Sequence, residues 1–445
     1  MTKKQKKSID LSMGGIMPRR LKTTKTIKMP NLTKSQQIRK LPVSKQKKTS
    51  GRSFGFAPSL AFIRSNVLYI LTPLWILGLY LFAINDFPPA IAGDSTHALD
   101  FQHLSQINSI DFLPVKLFLA ALAKLGINSQ LSLRLLSVAI VFLSIFCFYK
   151  IVASWINKRA ALLSVLLYSS TGWMLFQARQ DTVSTMMFAL MPVLLYFGIM
   201  AAETESLTLR ILCGIVLAQL LFVPGGIWFM ILAIIIGAVY EGRNFDIPSF
   251  APAVISFIVT LAAYTGVIIG MLAVGYKTEL LRLMGFFSGH LPALSTVKDN
   301  LLHLPSQLFY NGLADNSIWL HGTPVIDYVS LIFLITGLVY IIKNREDYSI
   351  SRTVIGLFII LSLILIAING PLSISIMVPV LYIAIAVGLS YIIEQWLVIF
   401  PSNPLARLFG IAVICASVFL VVGYQAERYF IGWPKTDEYH QIYKS

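Results

Sequence analysis

The chain has 445 residues, 56% of them apolar and 13% charged, with a mean hydropathy of +0.74. Soluble globular chains carry about a quarter charged residues, so the composition excludes a soluble enzyme, a disordered protein and a disulfide scaffold, and indicates a polytopic membrane protein. The net charge of +16 is local: residues 1–66 hold 17 Lys or Arg and the single acid Asp10, and the remainder is neutral. Cys147, Cys213 and Cys415 lie in apolar runs and read as small buried residues rather than disulfide partners or metal thiolates.

Residues 1–50 are rich in Lys, Ser, Thr and Gln and bury too little apolar area to offset ordering, which predicts disorder. Residues 53–66 mix Phe54, Phe56, Leu60, Phe62 and Ile63 with polar groups and suit an interfacial segment. Apolar runs then recur at 67–85, 131–152, 160–177, 182–200, 208–224, 226–240, 252–274, 327–343, 353–369, 372–393 and 405–424. Against a span of about 20 residues these predict an all-α membrane protein of about eleven transmembrane helices. The run 113–126, LPVKLFLAALAKLG, is shorter and contains Lys116 and Lys124, so it is expected to lie on the membrane surface.

Counting 113–126 as interfacial puts Lys158, Arg159, Arg243, Lys343, Arg345, Arg352 and Arg407 on the same side as the basic tail, which the positive-inside rule makes cytoplasmic. The expected organisation is a basic cytoplasmic tail with its interfacial segment (1–66), a transmembrane module (67–274) with an outer loop at 86–130, an outer segment (275–326), C-terminal helices (327–424) and an outer tail (425–445). The tail reads as an orientation signal and an anchor to anionic lipids; nucleic acid is a weaker reading of the same charge.

In the first outer loop, Asp94, His97, Asp100 and His103 recur every three residues. On a helix each would neighbour the next, and a carboxylate screened from water gains basicity. The bland alternative is a set of solvated loop residues. Arg179 and Asp181 stand between two apolar runs; either Arg179 holds an anion, or it snorkels while Asp181 caps a helix. Arg134 opens the second span and suits an anion or an acid of the first loop. The segment 275–326 carries Lys277, Arg282, His290, Lys298, His303, Asp315 and His321 among aromatics, which suits either headgroup contact or the cover of a site. No phosphate-binding glycine loop, paired-cysteine motif, HExxH or GxSxG is present.

The order of features from 67 to about 200 resembles the polytopic GT-C-type glycosyltransferase superfamily that uses polyprenyl-phosphate sugars. That superfamily includes the protein O-mannosyltransferases, the lipid A aminoarabinose transferase and the galacturonosyltransferases. The resemblance rests on Asp94, then Leu113-Pro114, then Gly126 through Ser132 to Arg134-Leu135, then Asn157-Lys158-Arg159-Ala160-Ala161-Leu162-Leu163 and Arg179-Gln180-Asp181. Many relatives have Asp-Glu where this chain has Asp94-Ser95.

The resemblance implies an inverting transfer from a polyprenyl-phosphate-linked sugar to a hydroxyl of a protein, envelope glycan or glycolipid on the non-cytoplasmic face. Asp94 would be the general base. Arg179, Lys277 and Arg282 would bind the donor phosphate, with Arg134, Asp181 and Asp100 in support. A divalent metal ion held by His97 and His103 is an alternative source of charge stabilisation. The expected location is the plasma (inner) membrane of a prokaryote, with a cytoplasmic N-terminus. Rival readings are a transporter or flippase of lipid-linked glycans, which would need ionisable groups at mid-membrane depth or broken helices in repeated halves, and a noncatalytic membrane scaffold.

Overall fold

The structure is a computed structural model that describes residues 60–84, 87, 110–127, 129–179, 191–203, 206–232, 247–273, 281, 283–286, 291–312, 320, 322–344, 349–369 and 374–443. The described residues belong to a unit spanning Leu60–Ser445, are helical in the main, and include no strand. In chain order the helices are α1 (Leu60–Leu81), α2 (Leu113–Lys124), α3 (Gln130–Trp155), α4 (Lys158–Ser169), α5 (Gly172–Arg179), α6 (Met191–Glu203) and α7 (Leu207–Leu220). There follow α8 (Ile247–Ala273), α9 (Leu294–Phe309), α10 (Tyr328–Lys343), α11 (Ser349–Asn369), α12 (Ile374–Ile399) and α13 (Pro404–Glu427). A π-helical turn (Arg428–Gly432), a 3-10 turn (Trp433–Lys435) and α14 (Asp437–Tyr443) complete the chain.

Each predicted apolar run has helical residues within it. Among the described residues Gln130–Trp155, Met377–Ile399 and Pro404–Lys435 are long and apolar enough to cross a membrane, and α4 with α5 forms an apolar pair bent by 67°, a broken span or a re-entrant loop. Large apolar side chains such as Leu71, Leu74, Trp75, Ile255, Val259 and Leu420 face outward, while Ser137, Ser144, Ser164, Ser362 and Ser390 are buried. That is the inverse of a soluble protein and fits lipid as the surrounding solvent. Several inner hydroxyls return to carbonyls of their own helix, as Ser164 Oγ does to Ala160 O at 2.8 Å, so no water is needed there.

Side-chain caps start several helices. Ser129 accepts from Ser132 N at the head of α3, Asn157 from Ala160 N at α4, Asp327 from Ser330 N at α10 and Asn403 from Leu405 N and Ala406 N at α13. Asn157 Nδ2 also donates to Ser390 Oγ on α12 at 2.9 Å, and that hydroxyl donates to Glu394. The Tyr340 and Tyr391 rings meet at 4.4 Å, tilted by 34°, and Tyr382 lies by Ser330, so α10 and α12 run parallel. Lys158, Arg159, Lys343 and Arg407 therefore gather at one end of the bundle; they are four of the seven bases the sequence places together, of which Arg243 and Arg345 lie outside the described residues.

At the opposite end, Arg134 at the head of α3 donates to Ile84 O just beyond α1. The chain thus leaves α1 and enters α3 at the same end, and the 12-residue α2 lies between them in the sequence. The surface-helix reading of 113–126 differs at Lys116, which is on the buried face of α2 with Leu113, Leu119 and Ala120 and pairs with Asp111 at 3.1 Å.

α10 and α12 approach closely at Gly337 and Gly388. A Cβ on Gly337 would collide with the Ala384 carbonyl, and one on Gly388 with the Phe333 carbonyl. Small residues at such crossings let backbones touch where lipid offers no hydrophobic drive to associate. Gly337→Leu should cost about 1–3 kcal/mol, seen as a lower thermal midpoint in detergent, whereas Gly423→Leu, at a position with open space around its Cα, should leave the midpoint unchanged.

Candidate active site

The last carbonyls of a helix have no partner within it and carry the negative end of its dipole. At the end of α1 the chain turns through Ala83, which has φ 50°, and presents the carbonyls of Leu79, Phe82, Ile84 and Phe87 to one side. Arg179 Nε donates to Phe87 O at 3.1 Å, Nη1 to Leu79 O at 3.3 Å and Nη2 to Phe82 O. Arg134 Nη1 donates to Ile84 O at 2.7 Å. Both arginines are 0% exposed. Arg179 does not snorkel: its planar fork serves three carbonyls that radiate from one turn, a geometry a point-charge ammonium cannot match.

The bend between α4 and α5 delivers Arg179 there. In Ser169-Ser170-Thr171-Gly172, the three hydroxyls donate back to the carbonyls of Leu166, Leu167 and Tyr168. Thr171 Oγ1 then accepts from Met174 N and starts α5 in a new direction. The expected single span at 160–177 is therefore two segments. Tyr80 Oη closes the corner by donating to Ser169 O at 2.7 Å.

Aromatic rings enclose the guanidinium. Its central carbon is 4.7 Å from the Phe430 ring centre and 5.8 Å from that of Phe87, within the range of cation–π attraction. Phe87 in turn meets Tyr429, Trp433 and Tyr439 at 5.4, 6.0 and 5.9 Å. Burial pushes the Tyr439 phenol up to about 12, against the opposing effect of the Arg134 cation. The expected outer tail at 425–445 thus contributes walls of the site over 428–439. Its signal in the sequence is the aromatic density of Arg428-Tyr429-Phe430-Ile431-Gly432-Trp433.

The second predicted outer segment reaches the same end. Leu283 O accepts from Gly225 N at 3.0 Å, Trp228 Nε1 donates to Met284 O at 2.7 Å, and Asn369 Nδ2 donates to Gly285 O. Gly225 and Gly285 have φ of +76° and +101°, conformations that favour glycine. α9 joins this layer through Asn300 Nδ2 to Ala367 O at 3.0 Å. Phe112 N donates to Phe222 O at 2.7 Å, tying the root of α2 to the end of α7.

Of the residues singled out in the sequence, Arg134 and Arg179 come together. Asp94, His97, Asp100, His103, Asp181, Lys277 and Arg282 lie outside the described residues; Phe87 immediately precedes the segment that carries the first four, and Leu281 and Leu283 flank Arg282. Among the described residues no group of three His, Cys, Asp or Glu forms a metal site, and the proposed metal ligands His97 and His103 are not among those residues.

Residues 113–269 match the family model described as dolichyl-phosphate-mannose-protein mannosyltransferase. Among solved structures the chain is similar to ArnT from Cupriavidus metallidurans bound to undecaprenyl phosphate. The TM-score is 0.56 at 11% identity, over 85% of this chain and 78% of that one. No curated protein sequence matches. At that identity the likeness establishes a shared fold, and the two findings together bear out the resemblance to the polytopic glycosyltransferase superfamily.

Arg179→Lys should lower stability by about 3 kcal/mol, because at least two buried carbonyls lose their donor, read as a fall in thermal midpoint. Asp111→Ala leaves the Lys116 ammonium buried and should cost about 3 kcal/mol, much of it recovered in the Asp111→Ala/Lys116→Met double variant; additive losses would show that the pair is not coupled.

Proposed function

We propose that the chain is a membrane glycosyltransferase that transfers a sugar from a polyprenyl-phosphate carrier to an acceptor hydroxyl. The observation that carries the reading is the clamp on the Phe87 carbonyl by Arg179, which fixes the last described position before the segment containing Asp94. The mannosyltransferase family match over 113–269 and the fold shared with an undecaprenyl-phosphate-bound protein support the substrate class.

In this reading Asp94 takes the proton from the acceptor hydroxyl as its oxygen attacks the anomeric carbon. The bond from that carbon to the phosphate oxygen breaks on the opposite face, the electron pair leaves with the polyprenyl phosphate, and the configuration inverts. A phosphate is a weak base, so its departure calls for charge stabilisation more than for protonation. Lys277 and Arg282 supply that directly. Arg179 has three donors engaged on carbonyls and acts as a fixed positive charge under the site, together with Arg134; Asp100 and Asp181 orient the neighbouring groups.

The acceptor is a protein, envelope glycan or glycolipid hydroxyl. The grouping of Lys158, Arg159, Lys343 and Arg407 at the far end supports a reaction on the non-cytoplasmic face of a prokaryotic plasma membrane, with the basic residues 1–66 on the cytoplasmic side against anionic lipids.

Asp94→Asn should insert and fold like the parent yet lose transfer from a polyprenyl-phosphate sugar by about 100-fold or more, measured as labelled sugar released from the lipid fraction. Full activity in that variant would remove Asp94 as the base.

A further inference from the structure

The end of the chain is built against the arginine clamp, and nothing in the transfer chemistry above uses it. The π-helical turn Arg428–Gly432 widens the backbone at the point where α13 ends, a device that recurs at functional sites. It sets Tyr429 and Trp433 one turn apart with their rings 5.5 Å from each other, and it places the Phe430 ring between Arg179 and Phe82, at 5.3 Å from the latter. Trp433 reaches Phe87 on one side and Phe176 of α5 at 6.2 Å on the other. Tyr439 stacks on Phe87 from α14. The rings therefore hold both parties to the Arg179–Phe87 bond, the donor through Phe430 and the acceptor residue through Trp433 and Tyr439.

This segment is itself fixed from behind. Arg428 Nη1 donates to Pro324 O at 2.9 Å, in the turn where Asp327 caps α10 and Val325 and Ile326 pair with the end of α9. Thr436 Oγ1 donates to Trp433 O at 2.8 Å and accepts from Tyr439 N, which caps α14. A ring held on both sides can set the orientation of a guanidinium, whereas a frayed chain end could not.

We infer that residues 428–439 are a positioning element of the site, in which Phe430 orients the Arg179 guanidinium and Trp433 and Tyr439 hold Phe87, so that the C-terminal segment governs recognition of the phosphate-bearing lipid. The inference rests on the function proposed above for its consequence, but not for its geometry. Replacing Phe430 by Leu keeps apolar volume and removes the ring face; replacing it by Tyr keeps the face.

Two measurements on the full chain in detergent test it. The first is modification of Arg179 by phenylglyoxal, read by peptide mass spectrometry. The parent should be protected, Phe430→Leu should react at least fivefold faster, and Phe430→Tyr should return to within twofold of the parent. Equal reactivity in Phe430→Leu and the parent would overturn the inference. The second is binding of undecaprenyl phosphate, measured well below each variant's thermal midpoint and expected to weaken about tenfold in Phe430→Leu, with Phe430→Tyr restoring it. Raised Arg179 reactivity with parental lipid binding would likewise overturn the positioning role. Should Phe430→Leu fail to fold, Trp433→Phe and Tyr439→Leu, which act on Phe87 instead, carry the same expectations. A parent that binds no undecaprenyl phosphate would count against the proposed function, and the phenylglyoxal comparison would still decide the geometry.

Discussion

The end of α1 is the constraint from which the rest of the site follows. Four carbonyls there must find donors in an interior shielded from water, where an unsatisfied polar group costs several kcal/mol. The chain answers with two arginines from helices that are distant in sequence. Arg134 comes from the head of α3 and Arg179 from the tail of α5, and both are fully enclosed. Two like charges in one place are tolerable because each faces the negative end of a helix and, for Arg179, the faces of aromatic rings.

That solution places demands on its neighbours. α5 can deliver Arg179 only by departing from the line of α4, and a run of three hydroxylated residues turns the helix without leaving carbonyls unpaired. The Arg179 side chain then needs walls that are apolar yet attract a cation. Phe87 and Phe430 provide them, from opposite ends of the sequence. The result couples the exit of the first helix, the corner of the bent helix and the chain's last residues into one rigid block.

The block sits at the end of the bundle opposite Lys158, Arg159, Lys343 and Arg407. The same end receives residues 283–286, α9 and the root of α2, each fastened by backbone carbonyls or amides to the ends of spanning helices. Under the proposed function this division would let one end hold a base and a cationic frame while the surrounding helices offer apolar side chains to a lipid chain.

Composition and apolar run length determined the class and the approximate helix positions, because each depends on local hydropathy and on a span length set by the bilayer. Caps at Ser129, Asn157, Asp327 and Asn403 are contacts over two or three residues, yet none was read as a cap from the sequence alone. Arg134 and Arg179 stood out as charges in apolar surroundings, but their partners did not: a backbone carbonyl has no sequence signature. The burial of Lys116 was hidden because Asp111 reads as an ordinary loop acid until the fold brings them within 3.1 Å. The bend at Ser170-Thr171 was masked by an apolar run of suitable length. Residues 428–439 read as a tail because their role depends on Phe87, some 340 positions away. Local chemistry fixed what each segment is; only tertiary structure decided which carbonyls two buried cations would satisfy, since that choice depends on where distant helix ends meet.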